Sequence, residues 1–288
     1  LLSDAKSRKK IIKSFRSAVR KIAFDEYGHY AIVALLDSVD DTKLLWKSVL
    51  GELLYGDQTE KALTAAVKTD LLCELLCQKH GRLPILHLLV PRSTRYFHPQ
   101  HWSHVWAEDI RVHSKKDAAI RRKELLVPFA DYIHQSLFSG DEPGTDVIVN
   151  YESVPTIVSL LSSPYGSAVL TEYLLCQDIA EEYRQAAARA VRSVVMELLH
   201  FKSKSTYRKS VVAIDHEDTK ANPVERLLME KDDGVVLEAV TLRTLRILAA
   251  RCQEFRSELE ANLDDSLKST IRRLQGDIIL DNLSKTVE

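Results

Sequence analysis

The chain has 288 residues, 45% of them hydrophobic, with 40 basic against 41 acidic side chains and a formal net charge of −1. That balance excludes a polycation, so any affinity for nucleic acid has to come from local patches. Nine glycines and eight prolines are few for this length and favour helix over sheet, and no run reaches the roughly eighteen apolar residues of a membrane span.

The opening LLSDAKSRKK has neither an initiator Met nor the layout of a signal peptide, and reads as an internal portion of a longer protein. Residues 8–23, RKKIIKSFRSAVRKIA, have helical periodicity, with Ile11, Phe15, Val19 and Ile22 on one face. Lys9, Lys13, Arg16 and Arg20 fall on an adjoining face, within about 60° of one another, and no acid opposes them inside the helix. In DEYGHYAIVALLDSVDDTKLLW, Gly28 marks a tight corner before a short apolar helix, and the Asp-Asp pair can cap another helix near Thr42. The same Gly-plus-short-helix pattern returns at Gly81, at Gly166 and more faintly at Gly234. The gaps are unequal, which predicts irregular units of two or three helices with insertions, as in an α-solenoid.

Residues 91–113 are rich in His and aromatics and read as a long ordered loop anchored by Trp102 and Trp106. SGDEPGTD (139–146) is the strongest turn signal, and HFKSKSTYRKS (200–210) is basic. Cys73, Cys77 and Cys176 sit in apolar helical runs and, with Cys252, read as reduced thiols. His98, His101 and His104 do not share one helical face and have no Cys nearby, so no metal is expected. The chain has no Gly-rich phosphate loop, nucleophile elbow or zinc-hydrolase motif. It is therefore not expected to be an enzyme, to carry a cofactor, or to take a small-molecule substrate.

HSKKDAAIRRKELL (113–126) is a second basic stretch with helical character. Ser114 and Asp117 have capping-box spacing, and Asp117 stands four residues before Arg121 in the favourable order. Capping does not account for Lys115, Lys116, Arg122 and Lys123. Cations in a first turn face the positive end of the helix dipole, an unfavourable arrangement that an outside anion would offset. The residues leave a solvated face and a phosphate contact equally open.

This stretch resembles a segment of the divergent nucleolar Pumilio-repeat proteins, the Puf-A or penguin-like family. RKKIIKSFR…VRKIAFDEYGHYAIVALLDSVDDTKLL, KHGRLPILHLLVPRSTRYFHP and PYGSAVLTEYLL resemble the same family in the same order, over about residues 8–176. The resemblance implies an all-α curved solenoid of Puf-type repeats over 1–138, continued by a CPL-like C-terminal helical region over 139–288. It also implies nucleolar residence and a role in assembling the large ribosomal subunit, among rRNA or pre-rRNA, ribosomal proteins and assembly factors. RNA would be held mainly through its backbone. In code-reading repeats the helix after the Gly presents two side chains to a base edge and one to its face. Carried onto this chain, His29 and Val33 would meet an edge and Tyr30 would stack. The later units would offer Arg82, Leu83 and Leu86, then Ser167, Ala168 and Thr171. Few of these can read a base. The expected RNA contacts are Lys9, Lys13, Arg16, Arg20, His29, Tyr30, Arg82, Lys115, Lys116, Arg122 and Lys123. The competing expectation is a protein-interaction solenoid whose basic patches only solubilise it.

Overall fold

A computed structural model describes residues 5–56, 64–100, 114–138 and 154–194, residue 192 apart, and every regular element among them is a helix. The basic N-terminal stretch forms α1 (Ala5–Phe15) and α2 (Val19–Phe24), joined through a tighter turn at Arg16–Ala18. Ile12, Val19 and Ala23 are buried there, whereas Ile11, which the spacing places inside, is 43% exposed. Adjacent isoleucines both fit a 3.6-residue stripe. The choice is made by the packing of α1 on the turn at 46–50, which periodicity cannot foresee.

Asp25 closes the next corner, its carboxylate accepting from Tyr27 N at 2.9 Å and Gly28 N at 2.8 Å. Helix α3 (Gly28–Ser38) follows, and then α4 (Thr42–Leu45), capped by Asp41 accepting from Leu44 N at 3.0 Å, as the Asp-Asp-Thr run predicts. A wide turn at Trp46–Leu50 leads into α5 (Gly51–Tyr55). After it come α6 (Ala65–Cys77), α7 (Leu83–Leu89) and the long α8 (Ala118–Ile133), which ends in a second wide turn at His134–Phe138. Helices α9 (Val154–Ser162) and α10 (Pro164–Leu175) come next, and residues 181–191 are helical again.

These helices form three-helix units: α1–α3, then α4 and α5, which run on through the wide turn as one broken helix, with α6 and α7, then α8–α10. Like packs on like between units. Helix α3 lies against α7 and α7 against α10, while α6 lies against α9 and α4 against α8. That is the nearest-neighbour stacking of an α-solenoid. One apolar core runs through it, with Leu45, Leu53, Leu72, Leu125, Phe129 and Ile157 at 0% exposure.

The recurring glycine has a steric reason. A Cβ on Gly28 would stand 2.3 Å from Ile22 O, and one on Gly166 would stand 2.7 Å from Leu160 O. On Gly81 it would stand 2.5 Å from Cε1 of Phe24, a residue of the preceding unit. Each glycine lets the third helix of its unit lie directly on a neighbour.

Cys73 and Cys77, half-buried and with sulfurs 3.9 Å apart, and buried Cys176 are reduced thiols outside any disulfide. The start of the CPL-like region at 139, the turn at 139–146, His101, His104, Trp102, Trp106, Cys252, the basic run at 200–210 and the Gly234 unit lie outside the described residues.

Candidate nucleic-acid interface

Asp117 caps α8, accepting from Ala119 N at 2.8 Å and Ile120 N at 3.2 Å. Ser114 does not cap it. Its hydroxyl donates to Asp40 Oδ1 at 2.7 Å and accepts from Arg121 Nη1 and Nη2 at 3.0 and 2.9 Å. The capping box therefore does not form: Asp117 caps the helix as its N-cap residue, and Ser114 is held instead by Asp40 at the end of the first unit. Asp40 also accepts from Lys115 N at 2.8 Å and Lys116 N at 3.2 Å, so it docks the whole lead-in to α8. Arg121 turns inward to Ser114 instead of pairing with Asp117.

The other cations of this stretch divide cleanly. Arg122 donates from Nε to Leu88 O at 2.6 Å and from Nη2 to Leu89 O at 2.8 Å, and Nη1 pairs with Asp178. It closes the C-terminus of α7. Lys116 Nζ meets Glu124 at 2.7 Å, and Thr42 donates to the same carboxylate. Lys115 and Lys123 are exposed on the surface.

The basic stripe of α1 and α2 divides in the same way. Arg16 pairs with Glu52 at 2.5 Å. Arg20 donates to Leu53 O at 2.5 Å and Leu71 O at 3.2 Å, pairs with Glu74 at 2.5 Å, and lies 5.3 Å from the Phe24 ring centroid. No acid within the helix opposes these arginines, but α5 and α6 bring acids to them. Lys9 meets Asp41 at 3.2 Å with both side chains largely exposed, a pair worth little, and Lys13 is exposed.

The two basic stretches, about a hundred residues apart in sequence, meet at the corner between α3 and α4. The Asp41 carboxyl is held below the usual carboxylate range first by the Leu44 N–H, then by Lys9 of α1 and Lys116 beside α8. Glu124 is lowered chiefly by its bonds from Lys116 and Thr42, with Lys43 adding to them. Lys9, Lys43 and Lys116 therefore share one surface. Lys13 lies one turn further along α1, and Lys115 precedes Lys116.

The positions that would read bases are placed differently. His29 is 2% exposed, its Nδ1 3.1 Å from Asp25 O and its ring 5.3 Å from that of His80. Val33, Leu83, Leu86, Ser167, Ala168 and Thr171 are buried. Arg82 lies over Tyr165, 4.5 Å from the ring centroid, and near Tyr96 at 5.8 Å. Tyr30 is half-buried against the His29 ring, centroids 4.0 Å apart. The first turns of the third helices thus serve the stack, because like-on-like packing closes over them.

Beside this surface, Asp37 ties α3 to the segment after α7. His87 Nε2 lies 3.0 Å from its Oδ1, and Arg92 Nη2 donates to Oδ2 at 2.6 Å. Burial pushes the Asp37 carboxyl up, but His87 and Arg92 outweigh it and hold it at about 2. Its unfolded value is near 3.9, so this stabilisation is complete above about pH 4 and is lost as pH falls through about 2. Urea unfolding of the native chain should lose about 2 kcal/mol over that interval. Asp37→Asn should lack this component; an unchanged acid limb in the variant would show that the triad is not coupled to folding.

Residues 77–226 match the family model described as the CPL (NUC119) domain. The chain is 26% identical over 284 residues to Pumilio homolog 3 of Danio rerio, covering 94% of this chain and 40% of that protein. It is 34% identical over 164 residues to Pumilio homolog 3 of Rattus norvegicus, covering 57% of this chain and 22% of that protein. The chain therefore spans well under half the length of these relatives. The crystal structure of human Puf-A aligns with a TM-score of 0.44 at 20% identity, over 97% of this chain and 52% of that one.

Proposed function

The chain belongs to the CPL (NUC119) family, in its Puf-A and penguin-like branch, and from that premise we propose that it is an RNA-binding portion of a nucleolar factor that helps assemble the large ribosomal subunit. It holds rRNA or pre-rRNA through phosphates, without a strict base code, alongside ribosomal proteins and other assembly factors. No catalytic role is proposed. The observation that carries this reading is that Lys9 meets Asp41 at 3.2 Å while the neighbouring Asp40 holds Ser114, Lys115 and Lys116, which brings two separate basic stretches together at one corner. Lys9, Lys13, Lys115, Lys116 and Lys123 are its phosphate contacts, and Tyr30 is its candidate for stacking. Arg16, Arg20, Arg82, Arg122 and His29 are engaged by internal partners.

Each lysine that neutralises a phosphate of a single strand adds about −0.7 to the slope of log affinity against log salt. Changing Lys9, Lys13, Lys115 and Lys123 together to Gln should flatten that slope by about 3 and weaken every RNA sequence alike. Tyr30→Ala should cost less, at most about 1–3 kcal/mol, and leave the slope unchanged. Loss of one sequence but not others in Tyr30→Ala would replace the phosphate mechanism with base reading.

A second reading, a protein-interaction solenoid, is favoured by Ile120 and Val127, seven residues apart on α8 and 55% and 52% exposed. It predicts no steep salt dependence toward any RNA.

A further inference from the structure

The start of α8, the end of α7 and the last turn of α3 enclose a cleft of about 450 Å³. That size falls in the usual range of small-molecule sites, about 300–1,000 Å³. Leu36, Leu88 and Pro91 supply apolar wall, and Ala119 stands at its edge, exposed. Four cations line it: Arg92, Lys116, Arg121 and Arg122.

Three of the four have a carboxylate in contact. Asp37 faces Arg92, Glu124 faces Lys116 and Asp178 faces Arg122. Arg121 is different. It is 3% exposed, and its two terminal nitrogens go to Ser114 Oγ and Lys116 O. Its Nε has no hydrogen-bond partner among the described residues. The carboxylate that acts on it, Asp40, is one hydrogen bond removed, through Ser114. A buried guanidinium lacking both a contacting counter-ion and a partner for Nε is costly. An oxyanion in the cleft would supply the missing counter-ion, and a guanidinium suits phosphate geometry. Arg92, on the same wall, takes a left-handed φ of 56°, a rare conformation for a residue with a side chain. Lys116 belongs both to this cleft and to the lysine surface, so the two are continuous.

We propose that the cleft is a phosphate site that seats one nucleotide of the bound RNA, its phosphate on Arg121 and Lys116 and its sugar against Leu88 and Pro91. This rests on the RNA-binding reading above and deepens it. An acidic or phosphorylated peptide is the rival occupant. Continuity with the lysine surface and a volume larger than a carboxylate side chain fills favour the nucleotide.

The test titrates the full chain with AMP and with adenosine by calorimetry, then measures a single-stranded RNA decamer across salt. AMP should bind saturably, with adenosine at least tenfold weaker. Ala119→Trp fills the cleft from an exposed position and leaves every cation in place. It should keep the native circular dichroism and melting point, abolish AMP binding and flatten the RNA salt slope by about 0.7, one phosphate. Arg121→Lys keeps the charge but removes the planar guanidinium fork, and should weaken AMP about tenfold. Equal binding of adenosine and AMP, or undiminished AMP binding by Ala119→Trp, would overturn the site. Displacement of AMP by phosphoserine with an unchanged RNA slope in Ala119→Trp would overturn the nucleotide as its occupant. AMP bound in the cleft by a chain with no affinity for RNA would leave the phosphate site standing and remove the RNA-binding reading instead.

Discussion

Replacing Arg122 by Gln should cost about 3 kcal/mol of stability, where the same change at Lys123 next door should cost no more than about 0.5 kcal/mol. The last carbonyls of a helix have no partner within it. For α7 two of these, Leu88 O and Leu89 O, are taken by the Arg122 guanidinium at 2.6 and 2.8 Å. The same group carries positive charge to the negative end of the α7 dipole and pairs with Asp178 after α10. Hydrogen bonds to charged groups contribute about 1.5–3 kcal/mol each and are not additive. With the Arg122 side chain 20% exposed and Asp178 49% exposed, the carboxylate can return to water. The carbonyls account for most of the loss. Urea midpoints of the two variants would show the contrast. A native midpoint for Arg122→Gln with reduced RNA affinity would mean that Arg122 serves the ligand and not the fold.

Much of this was legible in the sequence wherever the signal is local. The helical class, a glycine at or near the start of each third helix, the Asp41 cap and the Asp117 cap depend on residues within a turn or two of one another, and each is found among the described residues. What escaped depends on which element arrives from elsewhere. Arg16 and Arg20 look like a free basic stripe because their acids, Glu52 and Glu74, lie on α5 and α6. Ser114 has the spacing of a cap yet goes to Asp40, 74 residues away. Arg122 looks like a phosphate contact because nothing near it in sequence foretells the end of α7. Charge in the sequence thus marks where a cation is, while stacking decides whether a partner already holds it. Arginines took most of the internal partners, their planar forks suiting carbonyl pairs and carboxylates, and the exposed cations left over are mainly lysines.

The glycines offer the sharpest test of the stack, because their replacement by Ala should rank by what the new methyl meets. Gly28→Ala should be the worst. Its Cβ would stand 2.3 Å from Ile22 O, a backbone atom held by α2, with the Asp25 Cβ at 3.1 Å on another side. Real Cβ atoms do not approach so closely, and neither neighbour is the end of a flexible side chain, so α3 as a whole must move. In open space Ala would gain up to about 1 kcal/mol in a helix. Overpacking of this kind costs about 1–3 kcal/mol, occasionally more, and here it should reach the upper end. Gly166→Ala meets Leu160 O at 2.7 Å and should cost somewhat less. Gly81→Ala meets the ring of half-buried Phe24 at 2.5 Å. That ring can swing aside, so this variant should cost least, about 1 kcal/mol. The order also bears on function: α3 carries Asp37 of the cleft, and the corner it leads into carries Asp40 and Asp41. A displaced α3 should therefore weaken RNA binding in Gly28→Ala even where the variant remains folded, and Gly81→Ala should spare it. Equal urea midpoints for all three variants would mean that close approach is not why glycine recurs there.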